Sequence, residues 1–277
     1  MTDTARNPDN FCYRHPDRQS FIICQRCGRT VCSECQTQAA VGVHCPECVR
    51  EARESAPRAR RGTTTRIKRS MRSSSGVPVV TYTLIGLNLV LFALDFLTGR
   101  SLYPWLAYQS DFTASQPWRM ITSTFMHASV LHVLFNMYSL FIFGPIIEHL
   151  VGRARFLVLY LLAGFGGSVA VLLLAPGVPV VGASGAIFGL LGAFFVIQRR
   201  LGGNSTQLLI LIALNVAFGF IVPNVAWQAH LGGLVVGAGV AAVYMATRNR
   251  RQKAIQIASV AAIAVALVVI TIVGVTI

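Results

Sequence analysis

The run VVGASGAIFG, residues 180–189, sets one hydroxyl, Ser184, among small residues at the head of an apolar stretch that continues LLGAFFVIQRR. Two readings compete for that hydroxyl. Small residues let helices pack closely in lipid, which makes Ser184 a packing residue. Alternatively, Gly182 and Gly185 clear space for a substrate backbone, and the hydroxyl is a nucleophile. The rest of the chain decides between them.

The 277 residues are 54% hydrophobic and 12% charged, with a mean hydropathy of +0.59. A soluble protein of this length cannot hide so much apolar surface, so the composition predicts an all-α polytopic membrane protein. Charge is uneven. Residues 1–72 hold 14 of the 24 Lys and Arg, and beyond them the acids are Asp95, Asp111 and Glu148. All seven cysteines lie between Cys12 and Cys48. The first apolar run begins near Val77, so no secretory signal is expected. The chain divides into a cysteine-rich head at 8–52, a basic flexible linker at 53–76, a membrane core at 77–246, and a loop with a last helix at 247–277.

A spanning helix needs roughly 20 mostly apolar residues. Seven candidates meet or approach that length, at about 79–98, 130–150, 155–175, 184–200, 206–222, 228–246 and 255–276. The fourth and fifth are short, which suits helices buried among others. Arg and Lys cluster in the linker (Arg58 to Arg72) and in alternate loops: Arg153 and Arg155; Arg199 and Arg200; Arg248, Arg250, Arg251 and Lys253. Positive loops stay cytoplasmic, which predicts a cell-membrane protein with the head inside and the C-terminus outside. The basic linker reads as a topology determinant, and nucleic acid is not an expected partner.

This orientation brings several polar residues to one depth near the outer boundary. Ser184 opens the fourth span, His230 lies just inside the sixth, and His132 and Asn136 occupy the first turns of the second, with His127 shortly before them. Polar groups inside a bilayer are expensive and usually functional. These have the parts for acyl transfer: Ser184 as nucleophile and His230 as general base. His132 and Asn136, four apart on one helix face, serve as oxyanion donors beside the Ser184 N–H. Phe188, one turn after Ser184, can support the imidazole. Gly233 and Gly237 allow the close helix approach that a Ser–His hydrogen bond requires. No acid is placed to complete a triad, so a dyad is expected. A catalytically silent binder of membrane clients and a transporter are the competing classes. The presence of both Ser184 and His230 opposes the first, and the outer-side clustering fits the second poorly.

The joint pattern resembles the rhomboid family of intramembrane serine proteases. It is carried by Trp118-Arg119, by HASVLHVLFN (His127 to Asn136), by Gly182-Ala183-Ser184-Gly185, by Ala229-His230-x2-Gly233-x3-Gly237, and by Glu148-x3-Gly152, over residues 77–246. The resemblance implies a six-helix core plus a seventh transmembrane helix, and assigns the roles above to Ser184, His230, His132 and Asn136. It implies that Phe188 packs beneath the histidine and that Trp118 and Arg119 structure the outer loop. The implied reaction is hydrolysis of a peptide bond in or beside a transmembrane segment of a single-pass membrane protein, with no cofactor in the chemistry.

The head reads Cys12-x2-His15-x8-Cys24-x2-Cys27-x4-Cys32-x2-Cys35-x9-Cys45-x2-Cys48, which is eight ligands and enough for two tetrahedral Zn2+ ions. A reducing cytoplasm disfavours disulfides, and a head this small needs metal to fold. Every ligand position is filled by protein, so the sites read as structural. His44 is a spare beside Cys45 and could replace it as a ligand. The spacing resembles a B-box-type zinc finger, which implies a crossed arrangement: Cys12, His15, Cys32 and Cys35 on one ion, Cys24, Cys27, Cys45 and Cys48 on the other. A sequential pairing stays open. The expected use of the head is contact with a cytoplasmic protein partner.

Overall fold

The computed structural model describes residues 8–39, 42–55, 76–221 and 225–276. Most of the expected basic linker, residues 56–75, lies outside the described residues. The chain separates into two compact units, Met1–Arg61 and Gly62–Ile277.

The first unit is small and has little apolar core. Strands β1 (Phe11–Cys12) and β2 (His15–Gln19) pair antiparallel, as do β3 (Thr37–Gln38) and β4 (Val43–His44). Helix α1 (Pro46–Ser55) closes it. Its buried cluster consists of six cysteines with Val31 and Val43. Two aliphatic side chains cannot hold so short a chain folded, so the cysteine clusters are themselves the core.

The second unit is helical. After α2 (Val79–Leu97), a connecting segment carries the one-turn helices α3 (Tyr103–Leu106) and α4 (Arg119–Thr122). Then follow α5 (Val130–Val151), α6 (Arg153–Leu174), α7 (Ser184–Arg200), α8 (Thr206–Ile221), α9 (Trp227–Ala246) and α10 (Lys253–Thr276). Five of these, α2, α5, α6, α9 and α10, are long and apolar enough to cross a membrane. Large apolar side chains stand exposed on their outer faces, among them Leu97, Phe135 and Ile272, as lipid contact requires. In α2 the buried residues are Thr81, Leu84, Asn88 and Asp95. They fall on one helical stripe, and three of the four are polar. The polar stripe therefore turns inward and the apolar face outward, the reverse of a soluble helix.

Helix α7 is the centre of the bundle. Every residue from Gly185 to Ala193 is buried, the mark of a helix enclosed on all sides. Its glycines let α9 come close. A Cβ on Gly189 would lie 2.9 Å from the Gly233 carbonyl oxygen, and one on Gly233 would collide with the carbonyl of Gly185. The shortness of the fourth helix thus fits a buried position. The same expectation fails for the fifth. Most of α8 is exposed, Leu208 and Ile212 being its buried leucine and isoleucine, so it lies at the edge of the bundle.

Two polar ties hold the ends of the bundle. Glu148, 3% exposed, accepts hydrogen bonds from the backbone N–H groups of Val80 (3.1 Å) and Thr81 (2.8 Å) and from the Thr81 hydroxyl (2.7 Å). A carboxylate thus caps the start of α2, where N–H groups lack helical partners. At the other end, Tyr108 and Val180 exchange backbone hydrogen bonds of 3.0 and 2.7 Å, tying the connecting segment to the approach to α7.

Candidate active site and metal centres

The approach to Ser184 turns at Gly182, whose φ of +123° favours glycine. Its N–H donates to the Ser123 carbonyl at 2.9 Å. A Cβ on Gly182 would sit 2.6 Å from His132 Nε2 and 3.6 Å from Asn136 Nδ2. Both side chains of α5 therefore lie against the backbone two residues before Ser184. Ser184 is the first residue of α7, among the N–H groups that a helix leaves without internal acceptors.

His230, in the first turn of α9, brings Nε2 to 2.9 Å from Ser184 Oγ. The Phe188 ring stacks on the imidazole, with centroids 4.1 Å apart and planes 8° from parallel. His230 Nδ1 has no hydrogen-bond partner among the described residues. Asp95 and Glu148 are engaged elsewhere. His127 is fully buried, and its ring meets that of His132 edge-on, centroids 5.1 Å apart. Asn136 Nδ2 donates to the His132 carbonyl at 3.1 Å. A cavity of about 20 Å³ beside Ser184, lined by Ser123, Gly164, Ser168, Gly182 and Ala229, has room for one water molecule.

The residues expected at the site thus meet: Ser184, His230 and Phe188 directly, with His132 and Asn136 on α5 and His127 in the segment that leads into it. Such a set offers a hydroxyl, a base within reach of its proton, and donors beside the attacked position. Residues 114–248 match the model of the Rhomboid domain. The chain is 36% identical over 184 residues to the putative rhomboid protease YdcA of Bacillus subtilis, a match covering 63% of this chain and 92% of that protein.

The chain belongs to the rhomboid family.

This rhomboid is also 35% identical over 182 residues to the rhomboid protease GluP of Bacillus subtilis, across 61% of this chain but 35% of GluP. With RHOMBOID-like protein 1 of Arabidopsis thaliana it shares 42% identity over 127 residues, 43% of this chain and 32% of that one. It thus spans about a third of the length of these two relatives and nearly all of YdcA. Family and helices together make it a polytopic helical membrane protein.

In the rhomboid unit, Arg119 is buried and donates to Gln116 Oε1 (2.7 Å) and the Ala107 carbonyl (3.2 Å), while Trp118 stands half exposed. His149 Nε2 lies 2.9 Å from the Gly76 carbonyl, a contact that ties the end of α5 to the start of the unit. Asp95, which no motif in the sequence singles out, is fully buried and pairs with Arg100 at 3.1 Å. An acid inside a span was the available signal.

In the head, the ligand atoms of Cys12, His15, Cys32 and Cys35 lie within 4.8 Å of one another, as do those of Cys24, Cys27, Cys45 and Cys48. The pairing is crossed. His15 Nδ1 is 3.8, 3.4 and 3.4 Å from the three sulfurs of its cluster, and the Cys27 and Cys45 sulfurs are 3.7 Å apart. A tetrahedron with arms of about 2.0–2.3 Å has edges of roughly 3.5–3.8 Å, so both clusters fit a Zn2+-sized cation. His44, on β4, belongs to neither. Arg29, donating to Cys27 at 3.4 Å, holds that thiol down to about 6. Burial and the neighbouring thiols push Cys48 up to about 12. Four such ligands cannot all be anionic without a cation among them.

Proposed function

We propose that this rhomboid is an intramembrane serine endopeptidase that cleaves transmembrane segments of membrane-protein substrates by a Ser184–His230 dyad. The observation that carries the reading is the 2.9 Å separation of His230 Nε2 and Ser184 Oγ. Nε2 takes the hydroxyl proton as Oγ attacks the scissile carbonyl carbon. The oxyanion forms beside His132, Asn136 and the Ser184 N–H, which stabilise it. His230 then gives its proton to the leaving amine, and the acyl-enzyme remains. In the second half, water loses a proton to His230 and attacks the ester carbon, and Ser184 leaves with that proton. Phe188 keeps the imidazole in plane. A partner-free Nδ1 on His230 among the described residues favours a dyad over a triad.

The substrate must unwind locally at the site, because a helical backbone hides its carbonyls in i to i−4 hydrogen bonds. Single-pass proteins of the cell membrane fit this requirement. The charge of the loops supports a cytoplasmic head and an extracytoplasmic C-terminus, with α2 and α5 to α9 supplying a six-helix core and α10 a seventh span. In the head, two structural Zn2+ ions on the crossed ligand sets supply folding energy, leaving its surface for a cytoplasmic protein partner.

The test is cleavage of a model transmembrane substrate by purified protein in liposomes, beside Ser184→Ala and His230→Ala. Product from the wild type alone supports the reading. Equal product from all three overturns it.

A further inference from the structure

We infer that Arg100, held by the buried carboxylate of Asp95, is a positioning residue that fixes the entry into α5 and with it the oxyanion groups His132 and Asn136. The inference rests on the peptidase reading of Ser184 and adds a part of the molecule that the dyad does not touch.

The turn after α2 is unusual. Gly99 and Arg100 both have left-handed backbones, with φ of +65° and +68°, and Arg100 is the one non-glycine residue of positive φ among the described residues. A Cβ disfavours that conformation, and a helix end of this shape selects glycine. Arginine at the second position carries a backbone cost that the bonds of its side chain offset.

That side chain reaches across to the segment before α5. Arg100 Nη1 donates to Asp95 Oδ2 at 3.1 Å and to the His127 carbonyl at 2.7 Å, and Nη2 donates to the Ala128 carbonyl. Asp95 Oδ1 accepts the N–H groups of Leu102 (3.1 Å) and Tyr103 (3.0 Å). The carboxylate is fully buried, while the arginine is 37% exposed. Asp95 thus shapes the turn and aims the guanidinium, whose planar fork spans two carbonyls that a lysine cannot bridge.

The two carbonyls belong to the residues that deliver α5. Next comes Ser129, the N-cap, whose Oγ accepts the His132 N–H at 3.2 Å. The His127 ring lies edge-on to His132, and His132 lies over Gly182. Arg100 is therefore a direct polar link from α2 to the turn that sets the position of His132 relative to Ser184. Misplacing a catalytic group by about 1 Å costs about 10²-fold in rate, so loss of the fork acts on turnover through His132.

The experiment compares full-length wild type, Arg100→Gly, Arg100→Lys and Ser184→Ala in liposomes, measuring kcat and KM on one transmembrane substrate together with Tm. Glycine suits the backbone at residue 100 and removes only the side chain. The expected result is a kcat per folded molecule about 10-fold or more below wild type for Arg100→Gly, with KM within about twofold and a lowered Tm, because the buried Asp95 carboxylate loses its charged partner. Arg100→Lys should recover part of the loss. Wild-type kcat in Arg100→Gly overturns the inference, as does a loss that appears only in KM. Should Arg100→Gly melt below the assay temperature, Arg100→Lys decides: reduced kcat at wild-type Tm supports the role, and unchanged kcat overturns it. A wild type no more active than Ser184→Ala would instead remove the peptidase reading, and this inference with it.

Discussion

The ring of Phe188 lies flat on the imidazole of His230, 4.1 Å between centroids and 8° from parallel. An aromatic stack contributes about 0.5–1.5 kcal/mol beyond simple burial, and here it fixes the plane in which Nε2 faces Ser184. Phe188→Ala should lower kcat by up to about tenfold, whereas Phe188→Tyr should stay near wild type. Turnover of each variant on one substrate checks this, and an unimpaired alanine variant would contradict a positioning role for the ring.

The Ser–His distance depends on how closely α7 and α9 approach. Gly233→Ala puts a methyl group into the Gly185 carbonyl. Overpacking of this kind destabilises by about 1–3 kcal/mol, and forcing the helices apart should also lengthen the dyad contact. A lowered Tm and a lowered kcat are both expected. Gly239→Ala is the control, because nothing lies within 4 Å of a Cβ there, and its Tm and kcat should match wild type.

Glu148 works at the opposite end of the bundle from Ser184. Glu148→Gln keeps the shape but loses the charge that accepts three hydrogen bonds from Val80 and Thr81. A loss of about 1–3 kcal/mol is expected. Thermal unfolding in detergent should show a lowered Tm, while kcat per folded molecule stays at the wild-type value. A fall in kcat at full folding would assign Glu148 a part in the chemistry.

The head should carry two zinc ions per chain. Cys24→Ser should lower the count and unfold the head without altering peptidase turnover; metal analysis and circular dichroism of the head region give the readout. Acidification should also release metal. Ligand thiols must be deprotonated to hold the ion, so the zinc count should fall as the pH is lowered. A folded head that carries no zinc at neutral pH would contradict the assignment.

Much of this was legible in the sequence. The spans follow from runs of apolar residues, and α2, expected at 79–98, runs from Val79 to Leu97. Ser184 and His230 stood out because a polar group in a bilayer needs a reason. The position of α8 was not legible. In lipid, a buried helix and a lipid-facing one are equally apolar, so hydropathy cannot separate Ile212, which is buried, from Leu214, which is exposed. Shortness alone suggested burial, and that signal served α7 but not α8. The Asp95–Arg100 clamp was hidden for another reason. Its partners, the carbonyls of His127 and Ala128, are backbone atoms 27 and 28 residues away, which no side-chain pattern reveals. The crossed grouping of the Cys and His side chains likewise depends on how the chain folds back, and spacing along the chain leaves it open.

The most direct measurement of the central claim is covalent capture of the nucleophile. The purified protein is treated with a fluorophosphonate and digested, and the modified peptide is sequenced by mass spectrometry. The account predicts one adduct, on Ser184, that is absent in Ser184→Ala and strongly slowed in His230→Ala. Labelling that persists in Ser184→Ala, or a wild type that never reacts while it cleaves substrate, would contradict it.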